Sequence, residues 1–157
     1  MRHTFWLIPG VLAGRSGPCR DPWRLSELQG IGIGAVLSVN DGAACLPDEF
    51  ERLAIRYLCV PLSPNAPPQE GDVEHCRRVL PVAYGFAKAN EADGVATLVH
   101  CQAGKDRTGL FMAYYLVRSF GQMPREAIAK VRVVRPIAFT AEGWEEFAYE
   151  TLADAAT

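Results

Sequence analysis

The sequence predicts an α/β fold, a mainly parallel central sheet of about four to five strands with helices on both faces. Three observations predict it. Short runs rich in β-formers alternate with longer stretches of helical periodicity. Glycine and proline, 14 and 11 of them in 157 residues, punctuate most junctions. The central strand candidates are apolar almost throughout, as strands covered on both faces are.

The elements follow in chain order. Phe5 to Ile8 and Val11 to Ala13 form a short hairpin around Pro9-Gly10. Gly14 to Pro22 is a loop. Trp23 to Gln29 makes one or two helical turns, with Asp21 as N-cap and Pro22 at the first position. Ala35 to Val39 is a buried strand, Asp48 to Leu53 a short helix and Arg56 to Pro61 the next strand. Ser63 to Pro68 carries three prolines in six residues and is a rigid loop. Asp72 to Ala89 shows apolar residues at 73, 76, 80, 83/84 and 87, a helical stripe that Pro81 should kink. Val95 to Val99 is a third buried strand. Thr108 to Phe120 is a helix apolar nearly all round, hence central, and Gly121 ends it. Pro124 to Val134 makes another helix, and Thr140 caps a last one running to about Leu152.

Composition narrows the function. At 49% hydrophobic and 22% charged, the chain is neither disordered nor fibrous. A net charge of −2 lacks the basic excess of a nucleic-acid binder. The early apolar stretch Phe5 to Ala13 is interrupted by Pro9-Gly10 and is far short of the ~20 residues of a membrane span. No secretory signal is legible, so a single cytoplasmic domain over 1–157 is expected. The five cysteines (Cys19, Cys45, Cys59, Cys76, Cys101) are odd in number and form no CxxC pair. That argues against a metal site and for free thiols, one of them a candidate nucleophile.

The chemistry concentrates after Val99, in His100-Cys101-Gln102-Ala103-Gly104-Lys105-Asp106-Arg107-Thr108-Gly109. A strand runs into a cysteine, five residues intervene, and an arginine opens a helix. A tight loop can aim its backbone N–H groups inward as an anion nest. The helix N-terminus adds unpaired donors and the positive end of its dipole. The Arg107 guanidinium can grip two phosphate oxygens in a fork. The same field favours a thiolate, and a thiolate beneath a phosphoryl group is an in-line nucleophile.

HCQAGKDRTG resembles the HCxxGxxR[ST] signature of protein tyrosine and dual-specificity phosphatases. The likeness covers most of the chain. TFWLIPGVLAG, AVLSVND, CVPLSPNAPP and RVVRP resemble the amino-terminal segment, next strand, acid loop and penultimate helix end of small atypical dual-specificity phosphatases and their prokaryotic relatives. The resemblance implies one catalytic domain, a shallow site and no cofactor. It implies phosphorylated protein or small phosphomonoester substrates, and affinity for phosphate- or sulfate-like oxyanions. It makes Cys101 the nucleophile, Arg107 the phosphate-binding arginine and the backbone of Gln102, Ala103, Gly104, Lys105 and Asp106 the cradle. Thr108 becomes the hydroxyl that serves the cysteine sulfur, and His100 a support for the loop.

The acid loop departs from the family pattern. Family members carry an aspartate in a P-x-x-D-x-x-P-P-like loop, but here Pro64 stands at that place, in Pro61-Leu62-Ser63-Pro64-Asn65-Ala66-Pro67-Pro68. Three carboxyls are candidate replacements. Asp106 lies within the cradle, and a carboxyl beside a bound dianion holds its proton more tightly; its other reading is a loop brace. Asp72 opens the helix after the proline loop, with helix capping as its other reading. Asp41 follows the Ala35–Val39 strand, with a turn role beside Asn40 and Gly42 as its other reading. Lys105 matches a basic position of tensin-type lipid phosphatases, which keeps an inositol phosphate substrate open. A pseudophosphatase that only binds phosphate is the alternative from another class. Arsenate reductase shares the loop but needs thiols placed near the nucleophile. The arginines near 125–135 read as a solvated face. Cys45 and Cys59 are candidates to trap an oxidised Cys101.

Overall fold

The computed structural model describes residues 1–155. Five strands form one sheet in the order β1-β2-β5-β3-β4. They are β1 Phe5–Ile8, β2 Leu12–Arg15, β3 Ile33–Ser38, β4 Arg56–Cys59 and β5 Ala96–His100. The hairpin β1–β2 is antiparallel, and the pairs β2–β5, β3–β5 and β3–β4 are parallel. Gly10, at φ +77, makes the hairpin turn, closed by Val11 N donating to Ile8 O at 3.0 Å.

The helices are α1 Pro47–Arg52, α2 Asp72–Ala92, α3 Asp106–Phe120, α4 Pro124–Val134 and α5 Trp144–Leu152. Helix α3 lies in the larger core, buried continuously from Thr108 to Val117. There it meets α2 through Cys76, Leu80, Ala83 and Ala87, the stripe legible in the sequence. Helices α4 and α5 complete that face. The other face is thinner: Leu25, Leu28, Cys45 and Phe50 cover Ala13, Val36 and Leu98.

Several local expectations change. The segment expected to make one or two helical turns makes two, both of the 3-10 kind, Leu25–Glu27 and Gln29–Ile31, and neither has a side-chain cap. Asp21 is not a cap; its carboxylate accepts the Ser16 hydroxyl, which binds the Gly14–Pro22 loop to itself. Gly14 and Arg15 join β2 because they pair with Val99 and His100. The proline-loop strand ends at Cys59, earlier than Pro61. Helix α2 passes through Pro81 without interruption, with that residue on its exposed side. Helix α3 starts two residues earlier than expected, at Asp106. Thr140 does not cap α5; Gly143, at φ +76, takes that place, and the Thr140 hydroxyl donates to Ile137 O at 2.7 Å. Gly121 ends α3 in the left-handed conformation, as read from the sequence.

Candidate active site

The parallel strands β3, β4 and β5 end on one edge of the sheet, where ligands of open α/β sheets bind. There β5 delivers His100 and Cys101, and α3 begins five residues later. Cys101 is 2% exposed, and its sulfur accepts the Thr108 hydroxyl at 3.1 Å.

The loop 102–105 is held from behind. Gly17 N donates to Gln102 O at 2.9 Å. Arg135 donates to Ala103 O at 2.7 Å and to Gly104 O at 3.0 Å. In a planar trans peptide the N–H points away from its own C=O. Three carbonyls anchored on one side therefore turn the N–H groups of Ala103, Gly104 and Lys105 to the other, toward the site. Burial lowers the pKa of the Arg135 guanidinium from its usual value, with the Cys101 sulfur acting in the opposite sense. The arginine near 135 is thus a loop brace, not a solvated face.

Two glycines are required by close approach. Gly104 sits at φ +65, and a Cβ there would come within 2.5 Å of the Arg15 carbonyl group. A Cβ on Gly17 would come within 2.4 Å of the Cys101 carbonyl oxygen and 2.3 Å of an Asp41 carboxylate oxygen.

His100 is fully buried. Its Nδ1 donates to Cys101 O at 3.1 Å, which leaves Nε2 to accept the Ser38 hydroxyl at 2.5 Å. Burial pushes the imidazole down to about 4, so it is neutral at physiological pH. Cys45 Sγ lies 3.6 Å from Nε2, at the opposite end of the ring from the Cys101 carbonyl. Cys59 ends β4 and packs against Gly42. Cys76, beneath the proline loop, is pushed up to about 11 by burial.

Arg107 Nε donates to Ser63 O at 2.8 Å, and its guanidinium carbon lies 4.7 Å from the centre of the Trp144 ring. Trp144 Nε1 in turn donates to Asn65 O at 2.9 Å. Pro64 is exposed between these two anchored carbonyls, beside Arg107.

The three candidate acids fall in different places. Asp106 is 3% exposed; it pairs with Lys105 Nζ at 2.7 Å and accepts Ala141 N at 3.4 Å. Lys105 Nζ also donates to Thr140 Oγ1 at 3.1 Å, so it leans on the α4–α5 connection. Asp72 accepts the Ser63 hydroxyl at 2.7 Å, Gln69 N at 2.7 Å and Asn65 Nδ2 at 3.0 Å. Burial acts to raise its pKa, but these donors outweigh it and the net shift is downward. Asp41 opens the turn Gly42–Ala44 at φ 63, and one buried oxygen has no hydrogen-bond partner. Cys101 and Thr108 are thus in contact, with Arg107 next to Thr108 in the chain. Asp106 and Asp72 are engaged by the scaffold around them, whereas Asp41 lies against Gly17, close to the Cys101 carbonyl at the start of the loop. Arg135, Gly17 and Trp144 escaped the sequence reading. Among the described residues no group of three or more His, Cys, Asp or Glu could hold a metal ion, and no helix is long and apolar enough to cross a membrane.

A cysteine at a parallel strand's end and an arginine at the next helix's start form an oxyanion-binding loop, and the comparisons place that loop in a phosphatase family. A sequence model of the Swiss Army Knife protein, DSP-PTPase phosphatase domain matches residues 1–142, and the chain belongs to that family. The zebrafish (Danio rerio) Dual specificity protein phosphatase 22-B is 26% identical over 139 residues, 88% of this chain and 68% of the relative. The mouse (Mus musculus) Serine/threonine/tyrosine-interacting protein is 28% identical over 128 residues, 80% of this chain and 54% of the relative. The chain thus spans about two thirds of the first relative and about half of the second. Among solved structures, Tk-PTP in the active form superposes with a TM-score of 0.75 at 23% identity, covering 99% of this chain and 97% of its own. PTPMT1 in complex with PI(5)P gives 0.77 at 16% identity, covering 98% and 96%. These likenesses establish the fold.

Proposed function

We propose that the protein hydrolyses phosphomonoesters through a phosphocysteine intermediate, acting on phosphotyrosine or phosphoserine/threonine proteins. The observation that carries this reading is the Thr108 hydroxyl on the Cys101 sulfur at 3.1 Å, in a loop whose carbonyls are tied back and whose arginine stands alongside. The dianion binds to the N–H groups of the cradle and to Nη1 and Nη2 of Arg107, since Nε is engaged by Ser63. The thiolate attacks phosphorus; the S–P bond forms as the P–O bond to the leaving group breaks. Water then attacks the phosphocysteine, phosphate leaves, and the electron pair returns to sulfur. The Thr108 O–H steadies that thiolate as it departs. Asp72 is an ionised brace of the proline loop in this reading, and Asp106 is paired with Lys105, so water protonates the leaving oxygen.

A second reading is favoured by Pro64: an oxyanion-binding protein with little turnover. The inositol phosphate alternative draws on the PI(5)P complex of PTPMT1, but Lys105 is engaged by Asp106 and Thr140. The deciding experiment is release of nitrophenol from 4-nitrophenyl phosphate, then phosphate release from phosphopeptides and inositol phosphates. Cys101→Ser should fold, bind tungstate and turn nothing over. Activity of Cys101→Ser within tenfold of wild type would remove the covalent mechanism. A wild type that binds tungstate without turnover would establish the second reading.

A further inference from the structure

We propose that Trp144 is a positioning residue that sets the Arg107 guanidinium and latches the proline loop over the site; this rests on the phosphatase reading. Trp144 is the first residue of α5, fully buried, and 37 residues beyond Arg107 in the chain. Its ring faces the guanidinium at 4.7 Å, within the range of a cation–π contact. Its N–H holds Asn65 O at 2.9 Å, while Arg107 Nε holds Ser63 O at 2.8 Å. The two bonds close a small circuit from arginine to indole to loop and back. Phe147 meets the indole edge-on at 4.8 Å and fixes its tilt.

The circuit decides which edge of the guanidinium is available. Nε is taken by Ser63 and one face lies toward the indole. The terminal nitrogens remain for two phosphate oxygens. A guanidinium without the ring can rotate about its last side-chain bonds, and the fork must then be ordered when phosphate binds. The latch has a second anchor. Gly143 lies so close to Pro68 that a Cβ there would sit 3.0 Å from Pro68 Cδ. The start of α5 therefore packs directly on the loop it holds.

The sharpest test keeps the shape of the side chain. Tryptophan with increasing fluorination, placed at position 144 alone, retains volume and N–H but drains the negative face of the ring. Tungstate inhibition of 4-nitrophenyl phosphate hydrolysis should weaken stepwise with fluorination, reaching about tenfold in Ki at the tetrafluoro ring. Trp144→Leu should raise Ki and lower kcat by tenfold or more, and Trp144→Phe, which restores a ring, should recover most of the Ki. A merely structural tryptophan would lower Tm while folded molecules kept their kcat and Ki. A flat fluorination series, or a folded Trp144→Leu with both constants within twofold of wild type, would overturn the proposal. Should Trp144→Leu fail to fold, the fluorinated series still decides. A wild type that neither hydrolyses 4-nitrophenyl phosphate nor binds tungstate would instead overturn the phosphatase reading.

Discussion

Replacing Pro64 with aspartate should place an acid on the loop where the resembling phosphatases carry one. Position 64 is well placed for it. Ser63 O is fixed on Arg107 and Asn65 O on Trp144, at 2.8 and 2.9 Å, so the residue between them cannot drift. Pro64 is exposed, so a side chain of aspartate's size has room there. The loop acid should add about 10²–10⁴ to the rate for poor leaving groups, or about 3–5 kcal/mol of barrier. Loss of the proline should cost about 0.4–1 kcal/mol of stability through the unfolded chain. The assay is kcat/KM for a series of phosphomonoesters from 4-nitrophenyl to phenyl to alkyl phosphate. Wild type should slow steeply along the series. Pro64→Asp should flatten it, with a gain below about threefold for the nitrophenyl ester, which needs no proton. Asp106→Asn is the control: with its carboxylate committed to Lys105 and Ala141, its loss should slow every ester alike. If Asp106→Asn, Asp72→Asn or Asp41→Asn selectively slows the poor leaving groups, that residue is the acid. A folded Pro64→Asp that leaves the whole series unchanged would refute the reasoning about position 64.

Three further outcomes follow from the same geometry. Arg107→Lys should lose two charge-assisted hydrogen bonds of roughly 1.5–3 kcal/mol each, lowering kcat/KM by about 10²–10⁴; an unchanged value would show that phosphate sits elsewhere. Denaturation from pH 7 to 4 should show the His100 burden: the unfolded histidine takes a proton below about 6.5 while the folded one resists until about 4, so stability falls across that window by roughly 3 kcal/mol. His100→Asn, which can keep the donor to Cys101 O, should flatten that limb. Gly104→Ala should abolish turnover and cost about 1–3 kcal/mol, because its Cβ meets backbone rather than a movable side chain; wild-type kcat in that variant would exclude the loop packing described.

The site's centre was legible because its signal is local. Cys101, Gly104, Arg107 and Thr108 lie within eight residues, and strand–loop–helix order follows from the apolar runs on either side. The sheet was legible for a similar reason: β3 and β5 are apolar runs bounded by glycine or polar turns. What escaped depends on distant contacts. Trp144 meets a loop 79 positions away and Arg135 a loop 32 away; RVVRP marks Arg135 as part of a family-like helix end, but nothing local says which carbonyls it ties back. Asp21 and Thr140 were misread because cap-forming residues also bond within loops, and here a Ser16 hydroxyl and the Ile137 carbonyl won them. The early start of α3 reflects Asp106, whose paired carboxylate suits a helix N-terminus as well as a cradle.

Those distant contacts share one segment. Arg135, Thr140, Ala141, Gly143 and Trp144 all lie between the end of α4 and the start of α5. Arg135 ties back two carbonyls of the phosphate loop, and Thr140 and Ala141 hold Lys105 and Asp106. Gly143 and Trp144 hold the proline loop. One connection therefore supports both halves of the site from a position that touches no reacting atom. The proline loop has its own brace in Asp72, whose carboxylate gathers Ser63, Asn65 and Gln69. A carboxylate that accepts three donors is favoured in its ionised form, and its pKa is lowered accordingly. The same bonds that fix the loop therefore work against this side chain's holding a proton for a leaving group.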